Sequence, residues 1–157
     1  MINITFKCMN GKAIKPYKAH ETDAGFDLYS TEEIIIYPRQ QCKIGTGVAV
    51  QGSFINKEDE DKFILKFQVE GTSGNASKLG LFPIGGVVDQ GYTGEIVVVL
   101  CNHTADPIRV PKGGKIAQLV PEVIPKVKYV NFLGEKDEFK PTDRGTNGFG
   151  STGTAIS

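Results

Sequence analysis

Apolar and polar residues alternate along three stretches of this chain, and a period of two is what a half-buried strand requires. Residues 2–8 alternate in this way. Phe63, Leu65, Phe67 and Val69 share one face of a stretch whose other face holds Lys66 and Gln68. Alternation resumes at residues 26–29, where Asp27 falls opposite Phe26. Residues 34–37 and 43–50 read as two strands with Pro38 between them, residues 96–100 as a pure β run, and residues 108–110 as a short extended piece. Residues 116–120, then 123–124 between Pro121 and Pro125, then 127–132, complete the predicted strands. No stretch longer than about two turns shows a 3.6 period. One short helix is predicted after Ser73, with Ser73 as its N-cap. The charged run 56–62 reads as a solvated surface loop.

Composition supports the same class. At 157 residues the chain is most simply one domain with room for a core. Its 19 glycines exceed the average usage of about 7%. With eight prolines and many Val, Ile and Thr runs, they favour a turn-rich all-β fold. Eighteen basic and 18 acidic residues cancel, so no electrostatic footprint argues for nucleic acid or an anionic membrane surface. Three scattered cysteines with no C-x-x-C argue against a disulfide framework or a structural zinc, and fit a reducing cytosol. The start of the chain lacks a signal-peptide apolar region, and no run approaches membrane-spanning length, so a soluble, cytoplasmic protein is expected. From Gly134 the composition turns polar and glycine-rich, giving an expected β domain over residues 1–133 and a flexible C-terminal arm over 134–157.

Residues 85–95 concentrate the candidate chemistry. Val87-Val88 runs into Asp89-Gln90-Gly91, and Tyr92-Thr93-Gly94-Glu95 leads into the next β run, which reads as a β-hairpin. It carries one carboxylate, one aromatic three residues later, and glycines that let backbone approach a flat ligand. A plain turn in which Asp89 bonds its own backbone is the alternative. Four further clusters need a purpose. They are Asp27; Gly71-Thr72-Ser73-Gly74, where a helix start would favour an anion; Gln118, polar in an apolar strand; and the arm, where Phe149 stands among glycines between Arg144 and Ser151-Thr152. His20 and His103 have no Cys or carboxylate at metal-ligand spacing, and no Walker A, G-x-S-x-G or Ser–His–Asp signature is present.

Taken together and in order, these clusters resemble the five motifs of the trimeric, all-β dUTPase family. They are Ala24-Gly25-Phe26-Asp27-Leu28; Thr72-Ser73-Gly74 with Lys78; residues 86–95; Gly114-Lys115-Ile116-Ala117-Gln118-Leu119; and residues 144–153. The resemblance spans nearly the whole chain. It implies an all-β, jelly-roll-like (β-clip) domain that assembles as a homotrimer, the arm of one subunit closing a site built by the others. The implied reaction splits dUTP into dUMP and pyrophosphate with Mg2+, removing dUTP and supplying dUMP for dTMP synthesis.

On this resemblance Asp89 is the general base for a water that attacks the α-phosphorus. Tyr92 packs under the deoxyribose, and the backbone of Gly86, Val87 and Val88, with Val97 nearby, pairs with the uracil edge. Ser73, Gly74 and Gln118 hold phosphate oxygens. From the arm, Arg144 pairs with phosphate, Phe149 stacks on the base, and Gly150, Ser151 and Thr152 close on the γ-phosphate. Mg2+ is expected on phosphates and water with no direct protein ligand, Asp27 acting through those waters or by supporting the site. The family's second motif usually reads Pro-Arg-Ser-Gly, so Thr72 stands here in place of a cation, with Lys78 or another basic residue left to compensate. Two other readings share the pattern in part: a dCTP deaminase, and a dUTPase-like binding protein that regulates a protein partner. A capsid-type jelly roll leaves Tyr92 and Phe149 without purpose.

Overall fold

The computed structural model describes residues 1–144. Along them run the strands β1 Ile2–Cys8, β2 Phe26–Tyr29, β3 Ile34–Ile36, β4 Gln41–Gly45 and β5 Val48–Phe54. Helix α1 Lys57–Lys62, strand β6 Phe63–Glu70 and helix α2 Ser73–Leu79 follow, then β7 Leu81–Ile84, β8 Val87–Val88, β9 Val97–Asn102, β10 Ile108–Val110 and β11 Lys115–Pro125. A four-stranded sheet is ordered β2-β11-β6-β8 and a three-stranded sheet β4-β9-β7, while β1 pairs with β5 and β10 with β3. Every pairing is antiparallel. Contacts gather Met1–Lys126 into one compact unit, and a second unit begins at Val127. No helix among the described residues is long and apolar enough to cross a membrane.

The core follows from the alternation. Leu65, Phe67 and Val69 of β6 and Ala117 and Leu119 of β11 meet Ile44 of β4, Val98 and Leu100 of β9 and Leu81 of β7 in one buried cluster. Each Val, Leu, Ile or Phe among them contributes roughly 1.5–3 kcal/mol when removed from water. Lys66 and Gln68, on the other face of β6, stay half-buried.

Several expectations are corrected by local chemistry. The charged run is a helix and not a loop, so the described residues hold two short helices. Asn56 caps α1 by accepting the Asp59 N–H at 2.8 Å, and Glu58, Asp59 and Glu60 occupy its first turn. Lys62 pairs with Glu58 at 2.5 Å and Lys57 with Asp61 at 3.2 Å, so caps and i,i+4 pairs stabilise a helix with no apolar face. In α2 the cap is Thr72, whose hydroxyl accepts the Asn75 N–H at 3.3 Å, and Ser73 is the first helical residue. The stretch 43–50 is two strands, because the backbone turns between them at Gly47 (φ +69°). Residues 116–120 and 123–124 are a single strand, β11, running through Pro121. Pro121 faces Phe67 of β6 beyond the end of the β2 pairing at Leu119, so the other edge is open and the missing N–H removes no ladder bond. Residues 127–132 are not a strand: no described strand pairs with them, and Val127, Tyr129, Val130 and Phe132 are exposed. Strand-favouring residue types alone do not hold a strand without a partner edge.

Asn102 closes β9 from inside. Fully buried, its Nδ2 donates to the carbonyls of Ile36 at 2.9 Å and Asp106 at 2.8 Å, while its Oδ1 accepts from the Thr104 N–H and hydroxyl, both at 2.8 Å. Replacing it with Ala leaves buried donors and acceptors unmade, each costing about 1–3 kcal/mol. Asn102→Ala is therefore expected to lower stability by about 3 kcal/mol, read as a fall in the urea midpoint at unchanged slope. A midpoint equal to wild type would contradict this.

Candidate functional site

Residues 85–95 do not form a hairpin. β8 pairs with β6 through Val88↔Phe67 and Val87↔Gln68, whereas β9 lies between β4 and β7. The connection crosses from one sheet to the other, and no ladder bond joins its two arms. Its entry is fixed where the Gly86 carbonyl accepts the Val69 N–H at 2.7 Å. A Cβ on Gly86 would stand 2.4 Å from the Val69 carbonyl oxygen, so only glycine permits this approach. The loop then turns on a bond from the Tyr92 N–H to the Asp89 carbonyl at 3.0 Å.

Side chains complete the loop. Gln90 Oε1 accepts the Leu65 N–H of β6 at 3.0 Å. The Tyr92 hydroxyl donates to the Glu95 carbonyl at 2.9 Å, and its ring lies across Gly94, where a Cβ would come within 2.6 Å of Tyr92 Cζ. Glu95 Oε1 accepts the Gly47 N–H at 2.7 Å, in the turn between β4 and β5. The glycines at 86 and 94 thus serve the chain's own packing. What results is a cleft of about 220 Å³ lined by Val69, Val87, Val88, Asp89, Tyr92 and Val97, among others. Asp89 is exposed at its edge, and the Val87, Tyr92 and Val97 side chains are about half exposed.

A second set of predicted residues gathers elsewhere. Gln118 of β11 faces Asp27 of β2 on one side and Glu70 of β6 on the other. Its Nε2 donates to the Gly71 carbonyl at 3.1 Å, which ties β11 to the start of α2. Asn75 of α2 donates to the carbonyls of Lys115 and Ile116 at 3.1 and 3.3 Å, holding the helix on the same strand. Glu70, Gly71, Thr72, Ser73 and Gln118 line a cleft of about 510 Å³ with Ala76, Phe82 and Pro83. Asp27 is buried, and its Oδ2 lies 2.7 Å from Lys115 Nζ. Beside it, burial first, then the hydroxyl of Tyr17 and the charge of Asp27, hold the Tyr29 phenol well above its ordinary range. That hydroxyl stays neutral, so Lys115 is the group that balances Asp27.

The structure therefore brings Ser73, Gln118 and Asp27 together, and separately Val87, Val88, Asp89, Tyr92 and Val97. No residue lines both clefts. Gly74 is exposed at the start of α2. Lys115, which the sequence places in the fourth motif without a role, is the cation that pairs with Asp27. Among the described residues, no group of three or more His, Cys, Asp or Glu side chains is placed to hold a metal ion. Arg144 is exposed in a turn at the end of the described chain. Phe149, Gly150, Ser151 and Thr152 lie outside the described residues.

The dUTPase family model matches residues 11–153. A deoxyuridine 5'-triphosphate nucleotidohydrolase of Clostridium acetobutylicum is 39% identical over 155 residues, covering 98% of each chain. One from Clostridium novyi is 42% identical over 148 residues, covering 92% of this chain and 94% of its own. Among solved structures, the dUTPase of Staphylococcus bacteriophage 80alpha with dUPNHPP superposes with a TM-score of 0.76 at 27% identity, over 97% of this chain and 99% of that one. The all-β, jelly-roll-like architecture read from the sequence is thus the one these proteins share. Matched over nearly its whole length by the family model and by relatives of this identity, the chain belongs to the dUTPase family.

Proposed function

We propose that this chain is a dUTP nucleotidohydrolase that converts dUTP to dUMP and pyrophosphate, acting as a homotrimer with Mg2+. One observation carries the reading: the loop between β8 and β9 sets an exposed carboxylate, Asp89, and an aromatic wall, Tyr92, on one small cleft floored by valines. At about 220 Å³ that cleft is below the roughly 300–1,000 Å³ of sites that enclose a whole drug-sized ligand. It suits a base and its sugar, with the triphosphate left to other groups.

In this reading Asp89 orients and deprotonates the water that attacks the α-phosphorus, a role that typically contributes about 10²–10⁴-fold in rate. Gly86, Val87, Val88 and Val97 present backbone to the pyrimidine edge. A cytosine, whose donors and acceptors are reversed, would leave buried groups unmade. Tyr92 stands against the sugar and leaves no room for a 2′-hydroxyl. Ser73, Gly74 and Gln118 receive phosphate oxygens at the second cleft, and Thr72, which replaces the family's arginine, is spent on capping α2. Lys115, on the same strand as Gln118, is already held by Asp27. The donor set fits an ion bound mainly by phosphate oxygens and water, since Mg2+ sheds its waters reluctantly and no carboxylate cage is present among the described residues. When bound, the ion would neutralise phosphate charge, with Asp27 reaching it through water. The arm, residues 134–157, brings Arg144 to phosphate, Phe149 to the base, and Gly150, Ser151 and Thr152 to the γ-phosphate.

Two features support assembly. The base-side and phosphate-side residues of one chain line different clefts, so a complete site draws them from different copies. Phe82 and Ile84 on the edge strand β7, with Val97 on β9, leave an apolar outer face 42–44% exposed, beside Cys101 and Val99 in register. A second copy of this chain would cover it.

The direct test is pyrophosphate release with Mg2+ from dUTP, dCTP, dTTP and UTP. Turnover is expected for dUTP far above the others, and Asp89→Asn should lower it by at least about 10²-fold; equal rates on all four nucleotides would overturn the proposal. A second test addresses the composite site. Asp89→Asn and Gln118→Ala chains, each inactive alone, should regain activity when unfolded together and refolded as mixed assemblies. Mixed assemblies as inactive as either parent would place both residues in one chain's site.

A further inference from the structure

Because β8 and β9 belong to different sheets, the loop that carries Asp89 and Tyr92 is not positioned by a hairpin ladder. Something else must fix it, since reacting groups displaced by as little as 1 Å can lose about a hundredfold in rate. Two side chains are placed to do so, one at each end. Resting on the dUTP reading above, we propose that Gln90 and Glu95 are positioning residues: Gln90 sets the carboxylate of Asp89, and Glu95 sets the Tyr92 wall that excludes a 2′-hydroxyl.

Gln90 stands where the sheet stops. In the β6–β8 register Phe67 faces Val88, so position 90 would face Leu65 if the strand continued. The chain has instead turned away on the Tyr92-to-Asp89 backbone bond. The side-chain carbonyl of Gln90 supplies the acceptor that the missing strand would have offered, at 3.0 Å from the Leu65 N–H. Being next in sequence, it anchors the backbone from which the Asp89 carboxylate projects. A β-strand edge thereby ends with its donor satisfied and its last residue aimed outward.

Glu95 stands at the other sheet. Its carboxylate takes the Gly47 N–H at 2.7 Å and occupies the space beside Gly45, where a Cβ would lie 2.7 Å from Glu95 Oε1. Its own carbonyl takes the Tyr92 hydroxyl at 2.9 Å. With the ring laid across Gly94, Tyr92 is held at its tip and along its face. The wall is thus tied through Glu95 to the turn between β4 and β5, and its distance from the cleft's valines is fixed by the gap between two sheets. Charge is not what this contact needs, because the donor is a neutral backbone N–H. A glutamine would keep the acceptor.

The experiment is steady-state kinetics of the full-length enzyme on dUTP and UTP, with urea midpoints measured in parallel. Gln90→Met, similar in length but without the carbonyl, should lower kcat on dUTP by about tenfold to a hundredfold while the preference for dUTP over UTP holds. Glu95→Ala should lower that preference by about tenfold, and Glu95→Gln should restore it. Tyr92→Phe, which removes only the hydroxyl, should lower the preference in the same direction and decides the matter if Glu95→Ala fails to fold. Unchanged kcat in Gln90→Met, or a preference for dUTP that survives both Glu95→Ala and Tyr92→Phe, overturns the assignment while leaving the proposed reaction intact. A wild-type enzyme that does not turn over dUTP overturns the reaction, and this assignment with it.

Discussion

The close approach of Gly86 to Val69 constrains everything downstream of it. A backbone bond of 2.7 Å with no room for a side chain presses β8 onto the edge of β6. The chain then has to reach β9 in the other sheet within eight residues, 89–96, which forces an irregular crossing in place of a ladder. Irregular backbone leaves donors and acceptors to be satisfied one at a time. That is the work of Gln90, Tyr92 and Glu95, each bonded to a backbone group. The same crossing opens the cleft, because the two sheets part where the loop spans them.

Much of the β framework was legible because burial on one face leaves a period of two in the sequence. The alternation over residues 63–69 became β6, and the pure β run at 96–100 overlaps β9 over Val97–Leu100, with Val98 and Leu100 buried. What escaped was set by partners. Residues 127–132 carry strand-favouring Val, Tyr and Phe, and what they lack is a pairing edge. Pro121 looks like a breaker until β2 is known to stop short of it. The charged run 56–62 became helical through an Asn56 cap and ion pairs that a hydrophobic period does not register.

The candidate site divides in the same way. Asp89, Tyr92 and Gln118 stood out because each is a polar or aromatic residue in a setting that otherwise calls for valine or glycine. Their supporting contacts did not, since Glu95 and Gly47 are 48 residues apart, Gln118 and Gly71 are 47 apart, and Gln90 and Leu65 are 25 apart. The resemblance implied a site shared between subunits, and the chain's own geometry gives two clefts on successive positions of β6, Val69 in one and Glu70 in the other. Side chains at successive strand positions point to opposite faces. A strand two faces wide cannot turn both toward one ligand, which supports the proposal that the site draws on more than one copy.

The account is tested most directly by a crystal structure of the full-length protein with a non-hydrolysable dUTP analogue and Mg2+. It predicts the Asp89 carboxylate one water away from the α-phosphorus, with Tyr92 against the sugar, and with the Gln118 and Ser73 that meet the phosphates coming from a different copy than Asp89. A nucleotide held by Asp89 and Gln118 of the same chain, or an Asp89 turned away from the innermost phosphate, would contradict it.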